Sequence, residues 1–179
     1  MLRSILRLLM VMSIGLYLNA DSPRAQAQGR IVAWGSDYAG MVSNAPIDND
    51  IVAVSASSFF SLALRSNGSL ISWGDDYQNA LSDMPTDSNF VAVSAGHEHS
   101  VALHLDGSLV SWGGRDDFGQ VSDTPTSKNF VAISAGGGHS VALRSDGSLI
   151  AWGFDWDNEV FAGRRVADLT KIVSSSPGN

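Results

Sequence analysis

Three observations predict an all-β repeat fold. Four Trp-Gly pairs, at Trp34, Trp73, Trp112 and Trp152, recur at spacings of 39, 39 and 40 residues. A short β-branched, alternating run precedes each pair, the pattern of a strand. Three of the pairs follow an Asn-Gly or Asp-Gly dipeptide at one fixed place: Asn67-Gly68, Asp106-Gly107 and Asp146-Gly147. A fixed period in this range is the mark of a solenoid or a propeller, whose units hide their apolar faces against one another.

The first element is a leader. In "MLRSILRLLMVMSIGLYLNADSPRAQAQ", Arg3 and Arg7 make a basic start, Leu8 to Leu18 is an apolar run, and Ala25-Gln26-Ala27 has the small-x-small form of a cleavage site. The run is too short for a membrane span, which needs about 20 apolar residues. Residues 1–27 are therefore expected to be a signal peptide and the protein to be secreted or periplasmic. Cleavage there removes three arginines and one aspartate, so the formal charge of -7 becomes -9. With no basic stripe, so acidic a chain is unsuited to phosphate backbones, and no nucleic-acid partner is expected. No membrane association is expected after cleavage either. The chain contains no cysteine, which excludes disulfides and thiolate metal sites.

The repeats occupy residues 30–174, and a tail follows at 175–179. "RIVAWG" at 30–35 matches only the end of a unit. Three complete copies follow: "IVAVSASSFFSLALRSNGSLISWG", "FVAVSAGHEHSVALHLDGSLVSWG" and "FVAISAGGGHSVALRSDGSLIAWG". Thr170 to Ser174 falls where the first strand of another unit would start. Within a copy, "FVAVSA", "HSVALHL" and "SLVSWG" read as three strands. The Asp-Gly dipeptide tolerates positive φ at both turn positions and so favours a two-residue type I′ hairpin. That turn pairs Leu105 with Ser108, His104 with Leu109, Leu103 with Val110 and Val101 with Trp112. Val101, Leu103, Val110 and Trp112 would then share one face, with Ala102, His104, Leu109 and Ser111 on the other. Pro46, Pro85 and Pro125 lie in stretches that read as rigid connectors.

The pattern G-x-x-H-S-x-A-L-x-x-D-G-S-L-x-x-W-G, with "FGQVSDTP" at Phe118 to Pro125, resembles the regulator of chromosome condensation repeat family. Its short period and Pro-Thr ending are similar to the bacterial branch that includes β-lactamase-inhibitory protein II. The resemblance implies a β-propeller, usually of seven blades. This chain supplies three complete blades and two partial ones, an incomplete arc. An open arc leaves blade faces and sheet edges unpaired, and a homodimer completing the ring is one expected way to cover them.

Candidate chemistry is sparse. His97-Glu98-His99 has the look of a metal site, but the aligned residues are Ser58 and Gly137 for His97, and Phe60 and His139 for His99. Positions that become Phe or Gly in a neighbouring unit read as packing or turn positions, and no metal or other cofactor is expected. His99 and His139 are expected to bond loop backbone. Ser100 and Ser140 follow histidines on a strand, so the two side chains point to opposite faces. Gly136-Gly137-Gly138 lacks the Lys and Ser/Thr of a phosphate cradle. No enzymatic activity is expected.

The remaining constellation follows each Trp-Gly. Asp37-Tyr38, Asp76-Tyr77, Asp117-Phe118 and Asp155-Trp156 each place an acid before an aromatic. Aligned on one end of a propeller, these loops would form an arc of aromatic anchors between carboxylates, suited to another protein. Alternatively the aromatics wedge between blades and the acids cap turns. By resemblance, the inhibitor branch holds its enzyme target with loops at one end. The expected function is an exported, non-catalytic protein-recognition scaffold that binds or inhibits an extracytoplasmic protein. The competing readings are a truncated propeller fragment with no independent activity, and a secreted hydrolase acting on polysaccharide or peptide.

Overall fold

Each full copy of the repeat becomes a three-stranded antiparallel sheet, a blade of a propeller. The first blade contains β1 (Ile51–Ala56), β2 (Phe60–Arg65) and β3 (Leu70–Gly74). The second contains β4 (Phe90–Ala95), β5 (His99–His104) and β6 (Leu109–Gly113), and the third β7 (Phe130–Ala135), β8 (His139–Arg144) and β9 (Leu149–Gly153). Strands pair in chain order within every blade. This computed structural model describes residues 29–154 apart from Arg115. The leader, Asp155, Trp156, the strand expected at Thr170 to Ser174 and the tail lie outside the described residues.

The hairpins differ from the expected type I′ turn. Gly107 N–H donates to the His104 carbonyl at 3.0 Å and His104 N–H donates to the Ser108 carbonyl at 2.9 Å, closing a three-residue loop. Only the glycine takes positive φ, at 84°, 80° and 82° in Gly68, Gly107 and Gly147. This is a type I turn followed by a glycine bulge. The physical reason is local. The Asn67, Asp106 and Asp146 side chains each accept the N–H of the serine two residues on, at 2.9–3.0 Å. That bond competes with the left-handed backbone a type I′ turn would need.

The extra loop residue shifts the register by one and exchanges faces. Leu103 pairs with Leu109, Ala102 with Val110, Val101 with Ser111 and Ser100 with Trp112. Trp112 and Val110 therefore share a face with Ala102, while Leu109 and Ser111 share one with Val101 and Leu103. Both faces are apolar, and both are used. Leu62, Leu64 and Leu70 of the first blade pack on Val93, Ala102, Val110 and Trp112 of the second. Val101, Leu103 and Leu109 then pack on Ile133, Ala142, Ile150 and Trp152 of the third. The core consists of the layers between blades.

Repeated polar bonds fasten these layers. Trp73 Nε1 donates to the Met41 carbonyl, Trp112 Nε1 to that of Ala80 and Trp152 Nε1 to that of Gln120, at 2.9–3.0 Å and always 32 residues back. Each indole thus reads the loop that leaves the preceding blade. On the inner strands, Ser55 Oγ accepts the Ala95 N–H and Ser94 Oγ accepts that of Ala135, both at 2.9 Å. At the front of the arc, Ile31 and Ala45 cover the Trp73 face. The strand expected at 30–35 is reduced to a single bridge from Gly29 to Ile51, and Trp34 stands 83% exposed.

Candidate functional site

Strand direction sorts the loops onto two ends. The β1–β2, β4–β5 and β7–β8 loops share one end with the segments that follow each Trp-Gly. The hairpins and the connectors into β4 and β7 share the other. The hairpin end carries the cations: Arg65 binds Asp48 and Asp50, Lys128 binds Asp106, and the Arg144 guanidinium lies 5.5 Å from the centre of the Phe130 ring. A cavity of about 680 Å³ there is lined by Thr86, Asp87, His104 and Asp106. These are residues of the connector into β4 and of the second hairpin.

On the loop end, the carboxylates after Trp-Gly have a structural task. Asp37 Oδ1 accepts the N–H groups of Val42 and Ser43, and Asp76 Oδ1 those of Leu81 and Ser82, at 2.8–3.0 Å. These bonds, led by Ser43 for Asp37 and by Ser82 for Asp76, hold both carboxyls below the usual aspartate range. In the third loop the equivalent acid is Asp116, which accepts from Val121 at 2.7 Å and Ser122 at 3.1 Å. Burial works against ionisation of Asp116, but these bonds outweigh it and its pKa is also lowered. Gly114 is one residue more than the earlier loops contain. Asp117 consequently sits where Tyr38 and Tyr77 sit, and Phe118 one position later.

The aromatics remain outside the packed layers. Tyr38 is 62% exposed, Tyr77 38% and Phe118 52%. Phe118 meets Phe154 edge-on, with ring centres 4.2 Å apart. Tyr77 leans on Phe59 at 4.9 Å, and Phe59 meets the edge of the His97 ring at 5.1 Å. His97, read from the sequence as a turn position, is thus part of an aromatic strip crossing the seam between the first two blades. It also lines a shallow cavity of about 320 Å³ with Ser57, Ser58, Gly96, Gly136 and Gly137.

Sequence reasoning missed Phe59. The signal was nevertheless present. "SSF", "GHE" and "GGG" occupy one loop position in copies that otherwise barely differ, and variation at one place on a constant scaffold marks side chains the repeat itself does not dictate.

His99 differs from expectation too. Its Nε2 lies 2.7 Å from Ser140 Oγ on the next blade, not on loop backbone. Both residues are fully buried. A His–Ser pair is the start of a nucleophilic site, but no substrate atom can reach this one, and its chemistry is that of a structural bond. Burial, reinforced by His139 and opposed by Asp116, lowers the His99 pKa to about 4. Among the described residues, no cluster of three His, Asp or Glu side chains could hold a metal ion.

The regulator of chromosome condensation (RCC1) repeat matches residues 51–79, 90–120 and 130–160, together slightly more than half of the chain. The ectodomain of the Physcomitrella patens receptor kinase CR4 is similar at 24% identity and a TM-score of 0.54, over 62% of this chain and 31% of that one. The ectodomain of the Arabidopsis thaliana receptor kinase ACR4 is similar at 24% identity and a TM-score of 0.50, over 62% and 41%. Human WBSCR16 is similar at 19% identity and a TM-score of 0.54, over 87% and 48%. At these identities the likeness is one of fold. The chain spans less than half the length of each of these structures. No curated protein matches its sequence.

Proposed function

This chain belongs to the regulator of chromosome condensation repeat family, and from that premise we propose that it is an exported, non-catalytic protein-recognition scaffold. Its loop end does the binding. The observation that supports this reading is the exposure of Tyr38, Tyr77 and Phe118 on one end of a scaffold whose blades bury Phe60, Phe90, Phe130, Trp73, Trp112 and Trp152. Exposed rings cost stability in solution unless a partner covers them, and aromatics of this kind dominate binding hot spots. The capping bonds of Asp37, Asp76 and Asp116 hold the loops in shape before binding, which lowers the ordering cost of association. The leader at residues 1–27 supports export, to the periplasm or beyond. The short period and Pro-Thr ending support the bacterial branch, and with it inhibition of an extracytoplasmic enzyme as the narrower function.

The test is capture of a partner from the extracytoplasmic fraction of the source cells, by the wild type and by a Tyr77→Ala/Phe118→Ala double variant. Loss of a specific partner in a variant with native circular dichroism carries the reading. Capture that survives the double change places recognition elsewhere.

One observation favours a second contact. Trp73, Trp112 and Trp152 are buried against preceding loops, while Trp34 is exposed, as are Val32 and Ile47. A second copy of the chain, docked front to back, would supply the missing cover. Light scattering on the mature protein decides it: a discrete dimer that Trp34→Ala dissociates supports the contact, and a monomer at all concentrations removes it.

A further inference from the structure

Among the described residues, basic side chains gather at one end of the arc, whereas carboxylates stand at both. Arg65, Lys128 and Arg144 all lie at the hairpin end, where each has a carboxylate or a ring for company. Arg30, at the start of the segment equivalent to β3, β6 and β9, lies there as well. Asp37, Asp75, Asp76, Glu98, Asp116 and Asp117 lie at the loop end. The backbone bonds to Asp37, Asp76 and Asp116 hold these three carboxyls below the usual aspartate range.

The aromatic strip sits at this loop end. From the first blade come Tyr77 and Phe59, their rings tilted by 36°. From the second comes His97, edge-on to Phe59, with Nδ1 3.8 Å from Glu98 Oε1. Asp76 and Glu98 lie in sequence beside the two outer members of the strip. The equivalent positions on the third blade are Gly137 and Gly138, so this first seam is chemically distinct from the next.

We propose that the Tyr77–Phe59–His97 strip, bracketed by Asp76 and Glu98, is a cradle for a cationic side chain of the partner, an arginine by preference. The inference rests on the loop end being the binding face, and it names the chemistry that face selects. A guanidinium is planar and weakly hydrated, stacks on aromatic faces, and can meet a carboxylate edge-on at the same time. An anionic group would be repelled by the flanking acids. A purely apolar one would strip water from them without replacing their bonds. The half-exposed imidazole and phenol leave ring surface free for this contact, His97 being 49% exposed at its side chain.

The experiment uses the full chain and two blocked pentapeptides, acetyl-Gly-Gly-Arg-Gly-Gly-amide and the same peptide with citrulline. Citrulline keeps the shape of arginine and lacks its charge, so the comparison needs no variant. The expected result is saturable NMR shifts at Tyr77, Phe59, His97 and Glu98 with the arginine peptide, and affinity at least about 3-fold weaker with citrulline. Tyr77→Ala and Glu98→Gln should each weaken arginine binding by roughly 3- to 10-fold, while Tyr77→Phe, which keeps the ring, retains it. Equal binding of the two peptides, shifts confined to the hairpin end, or no saturable shift overturns the cradle. The recognition reading stands or falls separately. If the Tyr77→Ala/Phe118→Ala variant loses its partner while the arginine peptide ignores the strip, the face is correct and the cation is not.

Discussion

At the seam between the first and second blades a Phe60 ring occupies the position that His99 takes one seam later. The two seams otherwise share the Trp Nε1 bond, the inner-strand serine bond and the same apolar pairing. Where the residue is His99, its Nε2 reaches Ser140 Oγ and the seam is closed by a buried polar bond. Where it is Phe60, the corresponding Ser100 hydroxyl is buried with no hydrogen-bond partner. Serine is thus kept on one side of both seams while its partner is present at only one. The residue at the start of G-x-x-H changes as well: a Cβ on Gly96 would lie 2.6 Å from the Gly136 carbonyl oxygen and 2.8 Å from His99 Cε1, whereas the Phe60 copy has Ser57 there. One fold accepts either chemistry, because the surrounding apolar layer and the indole bond are common to both.

The largest effect should come from breaking what the seams share. Trp112→Ala removes a buried ring and the bond to the Ala80 carbonyl, and should cost about 3–5 kcal/mol. Urea denaturation should show the loss, with Trp152→Ala giving a similar one at the other seam.

The next effect separates the seams by pH. His99 is neutral in the fold, with its pKa lowered to about 4 from an ordinary 6.5. Between those values the unfolded chain binds a proton that the native state refuses. Stability from this group is therefore complete above pH 6.5 and is lost as pH falls through that window towards 4. The total is on the order of 3 kcal/mol. His99→Phe, which gives the second seam the residue of the first, should flatten that part of a stability–pH profile.

A smaller contrast tests the orphaned hydroxyl. Ser140→Ala leaves His99 Nε2 buried and unpaired and should cost about 1–3 kcal/mol. Ser100→Ala removes a buried group that has no partner and should be neutral or stabilising by up to about 1 kcal/mol. Paired thermal melts of the two variants give the sign of each. Smallest of all is Gly137→Ala: a Cβ there meets nothing within 4 Å, so the change should stay within about 0.5 kcal/mol.

Much of this was legible from single positions. The recurrence of Trp34, Trp73, Trp112 and Trp152, and of the three Asx-Gly turns, marks the strands and blades because each unit repeats one local solution. The exposed Tyr38, Tyr77 and Phe118 stand in the loops the spacing marked. The turn class was not legible, since Asp-Gly suits both a type I′ turn and a type I turn with a bulge. That one residue of difference put Trp112 with Ala102 instead of Val101. Phe59 and His97 meet across a seam, between loops on different blades, and no alternation within one strand predicts such a contact. His99 meeting Ser140 is the same kind of event.

By itself, then, the sequence determined the unit, its strands, its period and the loops able to vary, because these depend on local backbone preference and on side-chain alternation along a strand. Only the tertiary structure decided which face each tryptophan took, which histidine found a serine and which rings joined into a strip. Those outcomes depend on register and on the neighbouring blade, and a one-residue shift in a turn reverses every side chain beyond it.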